Sequence, residues 1–211
     1  MTRLAQTERQ ALCDTALQLG EDQPTLCGDW TVKDLVVHLL VREGSPAAAG
    51  ILVKPLARLT DLESRRYARR DFTVLVERLR SGPPVWSPYG LPRMDAVLNT
   101  LEYLVHHEDI RRAQPTWAAR SLPEQAEKLV WRQIRVAAKG LTRNAPVGVR
   151  LASSVSGSEA VVRPSDGAEV TVRGLPSEVA LFVYGRTAVA DVELLGEPDA
   201  VAALRGASLG A

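Results

Sequence analysis

Apolar positions recur with a helical period through the first two-thirds of the chain and with a strand period after it. In "TERQALCDTALQL", Leu12, Ala16 and Leu19 share one face and predict a first helix. The break "GEDQPTLCGDW" follows, and Thr31 with Asp34 three residues on reads as a capping-box variant. The helix it starts contains "DLVVHLLV" and ends near Gly44. Weaker helical patterns cover about 48–59 and about 66–80. The turn-rich "SGPPVWSPYGLP" precedes a strong helix from about Arg93 to Ala113, and a further helix covers about 122–141.

After "NAPVG" the period changes. "VGVRLAS", "EAVVRPS" and "AEVTVRG" alternate and are separated by turn residues, which predicts three short strands. A helix beginning "PSEVALFVYGR", a strand in "ADVELLG" and a closing helix in "EPDAVAALRG" complete the pattern. The fold class expected is α+β: a helical bundle over 1–143 joined to a small α+β domain over 144–211.

Charge narrows the function classes. Lys+Arg is 26 against Asp+Glu 25, a net charge of +1, which gives no electrostatic footprint for nucleic acid or an anionic membrane. The Arg pairs at 65/66, 69/70 and 111/112 have acidic neighbours and read as salt-bridged faces. No apolar run approaches the roughly 20 residues of a membrane span, and "MTRLAQTERQ" lacks the apolar core of a signal peptide. Cys13 and Cys27 form no CxxC motif, so a reduced, cytoplasmic protein is expected, a monomer or homodimer.

Against that background one residue stands out. His38 interrupts an otherwise apolar helical run, and a buried imidazole without a partner costs roughly 1 to 3 kcal/mol. The chain has three histidines, and the other two lie in "LNTLEYLVHHEDIRRA". On a helical wheel Met94, Val97, Leu98, Leu101, Leu104 and Val105 make one apolar stripe. Glu102, His106 and Asp109 cluster on one flank of it, and His107 turns to the other. Glu102 and His106, four residues apart, can reach one point. With His38 they would supply two imidazoles and a carboxylate, a known catalytic zinc set with an open fourth position. Bundle cores often hold metal in this way. The competing reading is a core histidine that only hydrogen-bonds a neighbour.

Three segments carry a family resemblance. "TLCGDWTVKDLVVHLL" resembles the stretch with the first histidine ligand in the mycothiol-dependent maleylpyruvate isomerase family, within the DinB-like metal-binding superfamily. "LEYLVHHEDIRRA" is similar to the stretch with its Glu-x3-His pair, and "LFVYGRTAVADVELLGEPDAVAAL" to its second domain. The resemblance implies a DinB-like bundle with His38, Glu102 and His106 as ligands of a divalent metal, zinc or another ion such as nickel. Asp109 would orient a ligand or a water from behind, or else pair with Arg111 or Arg112. Arg186, of the Gly-Arg pair, would contact an anion of substrate or cofactor, or else be a surface Arg after a helix end. Trp30 is expected as a hydrophobic staple. Cys27 is expected to be structural, because no histidine lies near it in sequence and the family brings its thiol on a cofactor.

The chemistry so implied uses mycothiol, a low-molecular-weight thiol, with a small electrophilic substrate. In the isomerase the sulfur adds to a cis double bond, the resulting single bond rotates, and elimination leaves the trans isomer. In related S-transferases the sulfur stays attached to the electrophile. The alternative is a metal- or small-ligand-binding protein without catalysis, with the fourth metal position closed, for example by Asp109.

Overall fold

The computed structural model describes residues 3–44, 57–84, 87 and 99–210. Among these residues the fold is α+β, with eight helices and one four-stranded sheet. The chain divides into two compact units, Met1–Trp117 and Ala118–Ala211.

The first unit is helical: α1 (Arg3–Leu19), α2 (Val32–Gly44), α3 (Ala57–Ala68), α4 (Phe72–Arg80) and α5 (Thr100–Arg112). α1 packs on α5 and α4, while α2 packs on α3 and α4. Their common core includes Leu12, Ala16, Leu35, Leu39, Leu75 and Tyr103. α2 starts where the sequence places it. Asp34 Oδ2 accepts from the Thr31 backbone N–H (3.0 Å) and hydroxyl (2.8 Å), while Thr31 Oγ1 accepts from the Asp34 N–H (3.2 Å). The reciprocal box satisfies donors that a helix start leaves open and fixes the phase of α2, hence the direction of His38.

The pattern expected over 66–80 is two elements, not one. α3 ends at Ala68, and Asp71 starts α4 by accepting from Val74 N at 3.1 Å. Asp71→Ala is expected to cost about 1 kcal/mol, the usual worth of a helix N-cap, readable as a lower urea midpoint at unchanged slope. Between the two expected patterns α3 also takes in 60–65, which the periodicity left unassigned because the helix's sequence, "ARLTDLESRRYA", is mostly polar. The expected helix over 48–59 falls mainly outside the described residues, as do Met94, Val97 and Leu98 of the long helix.

The second unit holds α6 (Glu124–Leu141), β1 (Gly148–Ser153), β2 (Glu159–Arg163), β3 (Glu169–Gly174), α7 (Pro176–Val183), β4 (Glu193–Leu195) and α8 (Pro198–Arg205). The sheet order is β2-β1-β3-β4, with β1 and β3 parallel and the outer pairs antiparallel. Val149 and Leu151 of β1 pair with Val170 and Val172 of β3, and all four are fully buried. The boundary expected near 143 therefore moves to 117/118, and α6 belongs with the sheet. The reason is packing. α6 buries Glu127, Val130, Trp131, Ile134 and Ala138 at helical spacing and packs on α7 and β2. Glu127 also accepts from Ser177 N (2.9 Å) and Ser177 Oγ (2.7 Å), satisfying the first turn of α7. No helix among the described residues is long and apolar enough to cross a membrane.

Candidate metal centre

His38 on α2 and Glu102 and His106 on α5 meet within the first unit. Glu102 Oε1 lies 3.6 Å from His38 Nε2 and 3.4 Å from His106 Nε2. All three ligand atoms lie within 4.8 Å of one another. Atoms around a tetrahedral zinc, with bonds of about 2.0 Å to N or O, stand roughly 3.3 Å apart. Small side-chain adjustments would bring the trio to that geometry. Two imidazoles and a carboxylate in this arrangement fit a divalent ion.

Two further residues shape the trio. Asp109, with no exposed surface, places Oδ2 2.9 Å from His106 Nδ1 and accepts its proton. That bond presents Nε2 to the cluster as a lone-pair donor, the usual role of a carboxylate behind a metal-binding histidine. Asp109 thus meets the opposite ring nitrogen and does not stand where a fourth ligand would. Arg111 and Arg112 both reach Glu108. The second residue, Arg42, escaped the sequence reading. Its Nε lies 3.1 Å from Glu102 Oε1, and its side chain also donates to Asn99 Oδ1 at 2.5 Å. The signal was available: Arg42 sits four residues after His38, one turn along the same face of α2.

Burial works to raise the Glu102 carboxyl, but hydrogen bonds from His106 and His38, with the charges of His106 and Arg42, hold it well below the usual carboxylate range. Burial likewise opposes a charge on His106, yet its bonds to Asp109, Cys27 and Glu102 carry it well above the usual imidazole range. Raising the imidazole in this way favours a proton over a metal, so a metal at Nε2 competes with protonation of the ring. Apparent metal affinity is expected to rise with pH until the raised imidazole has lost its proton, with proton release on binding. Calorimetry in buffers of different ionisation enthalpy measures this, and a pH-independent affinity would contradict the assignment.

His107 is set apart, as the wheel predicts. Its Nδ1 lies 3.0 Å from Glu8 Oε2 and its Nε2 3.0 Å from Thr15 Oγ1, so it fastens α5 to α1. Trp30, expected as a staple, is 39% exposed, and its ring centroid lies 5.1 Å from that of His38. Trp30 and His38 line an open pocket of about 450 Å³ together with Asp34, Asp61, Ser64 and Arg65. The expectation for Cys27 needs correcting in its premise. No histidine is near it in sequence, but Cys27 Sγ lies 3.8 Å from His106 Nδ1 and donates to Asp109 Oδ2 at 3.1 Å. Arg186 belongs to the second unit, after Gly185 at the end of α7, and its guanidinium donates to Tyr184 O at 2.6 Å.

Comparison with family models, with curated proteins and with solved structures finds no match to this chain.

Proposed function

We propose that the protein is a metal-dependent enzyme that uses a low-molecular-weight thiol, mycothiol, to isomerise or conjugate a small electrophile. The observation that supports the metal is the convergence of His38 Nε2, Glu102 Oε1 and His106 Nε2. The thiol rests on the resemblance of the three sequence segments. A divalent ion, zinc or a related one, seated on the trio would supply a Lewis acid that keeps a coordinated thiol deprotonated at neutral pH.

The chain's own residues have separate tasks in this reading. Asp109 holds the proton on His106 Nδ1 and fixes the ring. Arg42, 3.1 Å from Glu102 Oε1, helps hold that carboxylate in place. The pocket beside His38 is where substrate or cofactor would enter, with the Trp30 indole as an apolar wall and Asp61, Ser64 and Arg65 as polar anchors.

Cobalt substitution tests the thiol step, in a Cys27→Ser background so that the protein's own half-buried thiol beside His106 is silent. Titration with mycothiol at neutral pH should give a sulfur-to-metal charge-transfer band in the near ultraviolet, and simple thiols should give less. Absence of the band with cobalt bound would mean that the metal takes no thiol and would overturn the enzymatic reading in favour of a non-catalytic metal-binding protein.

A further inference from the structure

His106 has two ring nitrogens, and each faces its own ligand set. Nε2 faces Glu102, with His38 beyond it, while Nδ1 faces Cys27 and Asp109. From the second set the geometry points to a further metal seat, selective for thiophilic ions, made by Cys27 Sγ, His106 Nδ1 and Asp109 Oδ2. This inference does not depend on the proposed enzymatic activity.

The separations carry the argument. Cys27 Sγ to His106 Nδ1 is 3.8 Å, Cys27 Sγ to Asp109 Oδ2 is 3.1 Å, and His106 Nδ1 to Asp109 Oδ2 is 2.9 Å. Ligand atoms on a tetrahedral zinc with one sulfur bond of about 2.3 Å stand roughly 3.3 to 3.6 Å apart. Each pair thus needs to move by no more than about half an ångström, less than a small rotamer adjustment supplies. Sulfur, imidazole and carboxylate together suit a borderline or soft divalent ion and disfavour magnesium or calcium. Binding releases two protons to solvent, the thiol proton and the one that His106 Nδ1 shares with Asp109.

The seat is also built. Cys27 stands on a loop fastened at both ends: Thr25 N donates to Trp30 O (3.1 Å), and Pro24 and Thr31 form a bridge. Leu26 N donates to the backbone carbonyl of Asp109 itself at 3.1 Å, which sets the neighbouring Cys27 over α5. Cys27 N donates to Thr25 Oγ1 at 3.1 Å, and Gly28, at φ +65°, turns the chain immediately afterwards. A side chain held this way has little freedom left to lose when it becomes a ligand. The other thiol is no competitor. Cys13 lies fully buried in the helical core, and burial pushes it up to about 12.

The test uses the full chain, stripped of metal and titrated with Cd²⁺ alone, with no added thiol. A cadmium–thiolate charge-transfer band is expected in the parent protein, and in His38→Ala, where the first trio is broken, it should saturate at a single ion. It should persist in His38→Ala and disappear in Cys27→Ser. No band in the parent, a band surviving Cys27→Ser, or a band lost in His38→Ala would each overturn the separate seat. Cys27→Ser should still bind a divalent ion through His38, Glu102 and His106, so failure here and failure of the first site are distinguishable. Alkylation gives a second readout that needs no Cys27 variant. In His38→Ala, stoichiometric Cd²⁺ should slow carboxymethylation of Cys27 by about tenfold or more, and an unchanged rate would overturn the proposal.

Discussion

Replacing His106 with Ala is expected to abolish divalent metal binding, whereas His107→Ala keeps it. The two residues are neighbours in sequence, so composition and charge change equally and only position differs. His106 supplies Nε2 to the trio and is oriented there by Asp109, whereas His107 spends both nitrogens on Glu8 and Thr15. His107→Ala carries a different penalty: it leaves the buried Glu8 carboxylate without its imidazole, at about 1 to 3 kcal/mol. The expected pattern is thus a protein without metal in one case and a protein with metal in the other, each having lost the imidazole partner of a buried carboxylate. Elemental analysis of folded, gel-filtered protein decides it. Stoichiometric metal in His106→Ala would remove the assignment.

Glu43→Leu is expected to destabilise the first unit by about 3 to 5 kcal/mol, the cost of stranding a buried charge, and to lower the thermal midpoint by more than about 10 °C. Glu43 is 4% exposed, and its Oε1 accepts from Arg9 at 2.8 Å and from Asn99 Nδ2 at 2.6 Å. Arg9 in turn donates to Tyr103 Oη at 3.0 Å and stacks on its ring, 4.7 Å from the centroid. Arg cannot shed its charge, so losing Glu43 leaves a guanidinium held in the core. The double variant Arg9→Met with Glu43→Leu should recover most of the loss, because an apolar pair of similar volume fills the space without a charge. Equal destabilisation of the single and double variants would show that packing, and not the charge, sets the cost. Through Asn99 this network also reaches Arg42, and through it Glu102, so the double variant should bind metal more weakly if the network positions that carboxylate.

The sequence by itself determined those features whose causes lie within one turn or one strand. Thr31 and Asp34 start α2 and so aim His38, and Glu102 and His106 share a face because they are four residues apart. The three alternating segments became β1, β2 and β3, because a period of two leaves one face for the core. Tertiary structure decided what depends on partners distant along the chain. Cys27 meets His106 across 79 residues, and His107 meets Glu8 across 99. Arg9 meets Glu43 across 34, and no periodicity records any of these pairs. α5 is buried on nearly every side, so its polar residues had to find partners inside the first unit, and the fold alone chose which. The division at 117/118 has the same origin. The stripe on α6 announces a buried face, but a stripe says only that something apolar covers it, and its cover is α7 and β2.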